Sequence, residues 1–434
     1  MIETLLPLAM AVATLTGILA GYRVGMVLAG SAALFILISD LPTAYFNLLV
    51  SRIYANVLSN WLLVAIPMFI FMGLILEKSG VAARALRAAQ TALGGSAAGM
   101  GFSVLAIGTL LAASSGIVGA SVVLLATLAL PRLTEAGYDK ATSAGLIASS
   151  GTLAILIPPS VMLIVLADQL QTPVPDMFAG ALGPGLLLVV LYGLFVVWRA
   201  RKFPKQIRSE GSLSAIELLR DLGPLIGLVI SVLGSIIAGL ATPTEASALG
   251  AFGAILMTLL YGKFRPHVIF DAARQTVTMT SMVFLVLIGA TCFGAVFNAI
   301  GGDDMVEAAV TVFGEEPYTV LIVVLVAVFL LGFVLDWLEI TLILVPIFAP
   351  IVAGLDFGNG LTGEALMVWF GILIAVNLQT SFLTPPFGFS LFYLRGAVGD
   401  ALPSKQVYKG VLPFIGLQLF VLAILVAVPG LITW

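Results

Sequence analysis

Gly151-Thr-Leu-Ala-Ile-Leu-Ile-Pro-Pro-Ser160 lies inside an apolar run long enough to cross a bilayer. Thr380-Ser-Phe-Leu-Thr-Pro-Pro-Phe-Gly388 repeats the arrangement about half a chain later. Proline has no amide donor and its ring clashes with the preceding turn, so each run reads as a helix broken in mid-span. Backbone left unpaired at membrane depth is tolerated only where protein covers it or where it lines a polar cavity. Interrupted apolar helices in corresponding halves of a chain point to the binding site of a carrier.

The composition agrees with a membrane setting. Apolar residues make up 61% of the chain, charged residues 9%, and the mean hydropathy is +1.17. A soluble domain is about one quarter charged, so this is an integral membrane protein with little outside the bilayer. Uncharged runs at 5–22, 222–244, 275–302, 365–394 and 410–434 reach the roughly 18 residues of a spanning helix. A net charge of −3 implies no nucleic-acid partner. The single cysteine, Cys292, excludes an intrachain disulfide and says nothing of compartment. Glu3 stands where a cleaved leader carries positive charge, so the first run is expected to persist as a helix.

Ten spans are predicted, near 5–21, 24–39, 61–76, 143–167, 178–198, 222–240, 246–262, 276–299, 367–394 and 411–434. Two further apolar segments remain, 93–131 and 318–355. Basic residues gather at Arg84 and Arg87, Arg132 and Lys140, Arg199 to Arg208, Lys263 to Arg274, and Arg395 to Lys409. Acidic residues gather at Asp168 and Asp176, Asp303 to Glu316, and Asp356 and Glu364. If both remaining segments return to the side they entered, every basic loop is cytoplasmic and every acidic one external. Both termini then face outward. Arg52 is the exception, on the external side in segment 45–60, which reads as a helix along the interface. The predicted fold is an all-α polytopic membrane protein with about ten spans and two re-entrant hairpins. Residues 1–210 and 211–434 form two repeats, each with an odd number of crossings, so the second is inverted relative to the first.

Segment 93–131 carries Gly94, Gly95, Gly99, Gly101, Gly108 and Ser114-Ser-Gly-Ile-Val-Gly-Ala-Ser121. Two spanning helices packed through small residues and a re-entrant hairpin both fit its charges. Segment 318–355 carries Asp336-Trp-Leu-Glu-Ile-Thr341. Carboxylates inside an apolar segment are functional candidates by default, although a short segment whose tip touches external water is the plainer reading. If buried, Asp336, Glu339 and Thr341 offer hard oxygens suited to a hard cation. The broken spans add Ser149, Ser150, Gly151, Thr152 and Ser160, then Asn377, Gln379, Thr380, Ser381 and Thr384. Freed carbonyls and these side-chain oxygens suit Na⁺, and the half-helix N-termini suit an anion. A helix–helix hydrogen bond is the alternative for any one of them. Thr242-Pro-Thr-Glu245 has the form of a capping box, His267 reads as solvated, and Met68 and Met72 read as packing. Residues 199–208 and 213–219 read as an interfacial helix against anionic membrane lipids. No His-Glu-x-x-His, Gly-x-Ser-x-Gly or Cys–His pair is present, so nothing points to an enzyme. No charged ring or repeated filter suggests a channel.

At these residues the chain resembles the large membrane (permease) subunit of TRAP (tripartite ATP-independent periplasmic) transporters. The resemblance rests on Pro67-Met-Phe-Ile-Phe-Met-Gly73, Ser114-Ser-Gly116, Pro131 with Gly137-Tyr138, and segments 151–160, 242–245 and 384–388. Segment 377–395 is most similar to the branch labelled mannitol/chloroaromatic, a neighbourhood that includes transporters of oxo and hydroxy acids. The resemblance implies a Na⁺-driven secondary transporter of the bacterial inner membrane in which a transport domain slides, elevator-like, against a scaffold. It also implies a small carboxylate substrate, a periplasmic substrate-binding protein and a small four-helix membrane subunit. Carried onto this chain, one Na⁺ site involves Ser114, Ser115, Gly116, Ser150, Gly151 and Thr152. The other involves the tip with Asp336, Glu339 and Thr341, and Asn377, Gln379 and Thr380. Substrate is expected near Ser160, Thr384, Pro385, Pro386 and Gly388. The resemblance favours the hairpin reading of 93–131. Relatives often carry a less acidic second tip, so Glu339 either binds an ion or proton or fixes the hairpin. The alternative function is a self-sufficient carrier or antiporter that needs no binding protein.

Overall fold

The computed structural model describes residues 2–93, 95–115, 118–203, 214–358, 360–385 and 388–432, and the regular structure among them is helical. In chain order, α1 (Ile2–Leu19) and α2 (Val24–Ile38) precede α3 (Tyr45–Ile53), which a π turn extends over Tyr54–Leu58. Next come α4 (Ala65–Lys78), α5 (Val81–Leu93) and a helical pair, α6 (Ala97–Ser115) and α7 (Val118–Glu135). The first broken span is α8 (Lys140–Thr152) and α9 (Val161–Gln169), followed by α10 (Val174–Ala200). The second half runs α11 (Ala215–Ile237), α12 (Pro243–Leu260), α13 (Pro266–Ala299) and α14 (Gly302–Thr311). A second pair follows, α15 (Pro317–Leu331) against α16 (Trp337–Glu339) and α17 (Val345–Ala353). The second broken span is α18 (Gly363–Leu383) and α19 (Phe389–Val398), and α20 (Ser404–Ala427) ends the series.

Each predicted span coincides with a helix or a broken pair. Among the described residues seven helices are long and apolar enough to cross a membrane, and the remaining apolar helices are shorter. Two boundaries differ from expectation. Ser214 accepts from the Glu217 amide while Glu217 accepts from the Ser214 amide, so 215–219 are the first turns of α11 and not part of a separate interfacial helix. Pro266 starts α13 well before the expected span, because proline suits the first helical turn. Thr242 and Glu245 make the predicted reciprocal cap at the start of α12.

Packing repeatedly joins the two halves of the chain: α2 lies on α13, α4 on α12, α8 on α20 and α10 on α18. Two of these contacts are backbone to backbone. A Cβ on Gly289 would meet the Gly25 carbonyl oxygen, and one on Gly145 would meet the Gly410 carbonyl oxygen. Small residues bring helices this close where lipid supplies no hydrophobic drive. α18 is buried all round, as expected of a helix apolar on every face. At one end of the bundle, Arg84 bonds Asp221 at 2.6 Å and lies over the Tyr261 ring, tying α5 to α11 and α12. Arg199 bonds Asp139 at 2.9 Å, where α10 ends and α8 begins. At the opposite end, Asn60 donates to Asp168 at 2.6 Å, joining the chain beyond α3 to α9.

Candidate functional site

The two proline pairs break their helices as the sequence requires. α8 passes through a tight turn at Leu153–Ile155, and helix resumes at Val161. The Ser160 hydroxyl donates back to the Ile155 carbonyl at 2.8 Å, satisfying an acceptor freed by the break. In the other span, Thr384 ends α18 and donates to the Thr380 carbonyl at 2.7 Å. The Gly388 amide donates to the Thr384 carbonyl at 3.1 Å before α19 starts. A Cβ on Gly388 would lie 2.7 Å from the Phe382 carbonyl oxygen, so glycine is what lets the chain fold back here. Pro385 is half-buried, and Pro386 lies outside the described residues.

The hairpin tips meet these breaks. In the first pair, Gly116 lies outside the described residues, and Ser114 and Ser115 end α6. In the second, Asp336 accepts from the Trp337 amide at 2.7 Å, and Glu339 accepts from the Asp336 amide at 3.1 Å. Both carboxylates therefore cap the start of the descending arm, and both are half-buried. Of the two sequence readings for Glu339, this geometry matches the one in which it fixes the hairpin. A π turn, Ile340–Leu344, follows and buries Thr341 completely.

A central cavity of about 170 Å³ is lined by all four segments. The first tip contributes Val118 and Gly119, the first break Ile155 and Val161, the second tip Asp336 to Leu338, and the second break Phe382, Phe389 and Tyr393. Ile70 of α4 and Met279, Met282 and Val283 of α13 close it. Val118, Val161 and Phe389 are the first residues of α7, α9 and α19, so three helices begin at this space. Phe389 and Tyr393, one turn apart on α19, also line a larger cavity of about 790 Å³ that holds Gly388 and Arg395.

The predicted substrate residues Ser160, Thr384 and Pro385 belong to the breaks themselves and are not among the described residues that line the central cavity. Tyr393, Phe389, Phe382 and Gly119 line it and were not expected. Their one signal in the sequence is the four-residue spacing of Phe389 and Tyr393 directly after the Pro-Pro pair. A Cβ on Gly119 would lie 2.8 Å from the Tyr393 ring, so the first hairpin rests on α19 through a glycine.

The predicted cation ligands fall into two chemical groups. Some are already engaged: Asn377 donates to the Leu325 carbonyl of α15 at 2.7 Å, Thr380 to Asn377 at 2.6 Å, and Thr152 to Ser149 at 2.9 Å. Gln379 reaches Thr152 at 3.5 Å, which links two residues the sequence assigned to different sites. The others, with Ser381 from the same broken span, are buried without a hydrogen-bond partner among the described residues: Ser150 Oγ, Thr341 Oγ1, Gln379 Oε1 and Ser381 Oγ. Gly151 packs against Val122 of α7, so its role in the structure is close approach. Unpaired buried oxygens are rare. Neutral and hard, these four are the donor type that Na⁺ accepts, and among the described residues no cluster of three His, Cys, Asp or Glu competes with them.

The family described as Tripartite ATP-independent periplasmic transporter, DctM component, matches residues 8–431. The chain is 29% identical over 409 residues to an isethionate TRAP transporter permease protein, DctMQ, of Oleidesulfovibrio alaskensis, covering 93% of this chain. It spans only 62% of that relative's length. It is 29% identical to the C4-dicarboxylate TRAP transporter large permease protein DctM of Pseudomonas aeruginosa, over 86% of this chain and 85% of that one. It is 30% identical to the ectoine TRAP transporter large permease protein TeaC of Halomonas elongata, over 85% and 84%. The crystal structure of the Alcanivorax borkumensis YdaH transporter shares the fold, with a TM-score of 0.59 over 90% of this chain and 88% of that one, at 13% identity. With nearly its whole length matched, the chain belongs to the DctM family of tripartite ATP-independent periplasmic transporters.

Proposed function

We propose that this chain is the translocating subunit of a Na⁺-driven uptake system for a small organic acid, working by an elevator mechanism. The central cavity carries the proposal. Both hairpin tips and both interrupted helices meet there, and α7, α9 and α19 begin at it. Helix N-termini hold partial positive charge, so together they suit a carboxylate in a space whose described lining is otherwise apolar and aromatic around Asp336. Ser150, Thr341, Gln379 and Ser381 would hold Na⁺, whose bound charge would favour the anion's entry. Asp336 and Glu339 keep the second tip in shape.

The moving body in this reading is α6 to α10 with α15 to α20. The scaffold is α1 to α4 with α11 to α13. Residues 1–210 and 211–434 are the two inverted repeats, and the exchanged pairing of α2 with α13 and α4 with α12 supports that division. The basic loops face the cytoplasm, both termini face the periplasm, and the chain sits in a bacterial inner membrane. A periplasmic binding protein delivers the acid, and a small four-helix membrane subunit completes the scaffold.

Reconstitution tests this. Proteoliposomes holding the chain, the small subunit and the binding protein should accumulate the acid when an inward Na⁺ gradient is imposed without ATP. Uptake that persists with choline in place of Na⁺ would remove the coupling claim. Uptake by the chain alone would favour the self-sufficient carrier instead.

A further inference from the structure

A second cavity, of about 590 Å³, lies between the π turn after α3, the end of α9, α13 and the descending arm of the second hairpin. Arg52, the one basic residue that departs from the charge rule, lines it, with Asn56, Asn298 and Asp168. The side chains of Arg52, Asn56 and Asn298 make no hydrogen bond or ion pair among the described residues. Asp168 is already engaged on both oxygens, by Asn60 at 2.6 Å and by Gln169 at 2.9 Å. The cavity therefore presents, on its exposed side, one guanidinium and two amides with no partner among the described residues, beside a carboxylate each of whose oxygens already accepts one amide hydrogen bond. Arginine's planar fork matches a carboxylate in two parallel bonds, and amide side chains add neutral donors.

We propose that this cavity is a second binding site, for the carboxylate or sulfonate of a small organic anion, separate from the central cavity. It rests on the reading of the chain as an organic-acid carrier with α3 toward the periplasm. On that orientation it lies toward the side from which the acid arrives. Its far wall, Leu342, Ile343, Pro346 and Ile347, belongs to the hairpin that carries Thr341. An anion held by α3, its π turn and α13 thus sits against the element that must move to admit it.

The test uses the full chain in nanodiscs of phosphatidylcholine, with Cys292→Ser to remove the native thiol and Ala55→Cys as a reporter on the cavity wall. A membrane-impermeant maleimide is applied at constant Na⁺ with succinate, pyruvate or isethionate, and with uncharged mannitol as control. At least one anion should slow labelling while mannitol does not. Arg52→Lys should retain part of the protection, whereas Arg52→Gln should weaken it roughly tenfold or more, the loss expected for one charge-assisted hydrogen bond. Unchanged labelling without anion will verify that each variant is folded. The site is refuted if none of the three anions protects, or if Arg52→Gln protects as well as the parent. Protection that appears only when phosphatidylglycerol is added also overturns it, making Arg52 a headgroup anchor. Labelling does not need transport. A chain that transports but shows no protection loses this site alone, and one that is protected but shows no Na⁺-driven uptake loses the coupling mechanism alone.

Discussion

Thr341 and Ser381 carry hydroxyls that are buried with no hydrogen-bond partner among the described residues, an arrangement costing about 1–3 kcal/mol each. Thr341→Val keeps the shape and removes the orphan. If the hydroxyl is a Na⁺ ligand, the variant should be as stable as the parent or more so in Na⁺-free choline buffer, yet gain less thermal stability from added Na⁺. Melting curves at fixed ionic strength check this, and an unchanged Na⁺ response would take Thr341 out of the site. Glu339 should separate differently. Glu339→Gln keeps an acceptor for the Asp336 amide, so the hairpin and uptake should survive. Glu339→Ala should lose about 1 kcal/mol of stability, as helix caps generally do. Loss of uptake in both variants alike would return Glu339 to an ionic role. At this scale the polar half of the site was legible, because Ser, Thr, Asn and Gln in an apolar run stand out. The aromatic half was not: Phe389 and Tyr393 look like packing until the fold turns α19 toward the cavity. Ser160 is conspicuous for a different reason: its hydroxyl mends the backbone break, and it is not among the described residues lining the central cavity.

Helix contacts of the kind made by Gly145 and Gly410 leave no room for a side chain. Gly145→Leu should force α8 from α20 and cost about 1–3 kcal/mol or more. Gly30→Ala, on α2 with nothing within 4 Å of the added carbon, should be neutral or stabilising by up to about 1 kcal/mol. Thermal unfolding of the two purified variants would test the contrast. The cap at the start of α8 has a pH signature. Burial raises the Asp139 pKa, but the Thr142 amide and hydroxyl and the Arg199 guanidinium outweigh it, so the carboxyl ends below its ordinary value. A depressed pKa contributes stability above the ordinary carboxylate range, lost as pH falls through the folded value. Asp139 is 40% exposed, so the pair should be worth less than about 1 kcal/mol after solvent screening. Asp139→Asn should lower the melting temperature slightly at pH 7, with the gap closing as buffers are acidified below the carboxylate range. Broken helices and hairpins were legible as elements because proline pairs and intramembrane carboxylates are local signals. The first turns of α11 were misread because basic residues ahead of an apolar run suggest an interface helix equally well. Ser214, whose cap decides the matter, looked like an ordinary loop serine.

For the whole molecule, apolar runs along the sequence were enough to lay out the spans, and charge placement gave their expected sidedness independently of packing. What it left open was how the halves interlock, because partners such as α2 and α13 are far apart in sequence and meet through glycines that carry no charge signal. That interlocking frames the proposed motion. The Asn60–Asp168 hydrogen bond joins the chain between α3 and α4 to the end of α9, and so crosses from the proposed scaffold to the proposed moving body. If α9 travels with the hairpins, this contact must open and close in every cycle. In the Cys292→Ser background, Asn60→Cys with Asp168→Cys should cross-link under mild oxidation or with a short bis-thiol reagent. Na⁺-driven uptake should then stop, and reduction should restore it. Each single cysteine, treated alike, should keep working, which separates immobilisation from chemical damage. Uptake that continues at full rate with the link complete would mean that α9 and the α3 region move together. The boundary between fixed and moving bodies would then run elsewhere, between α3 and α13.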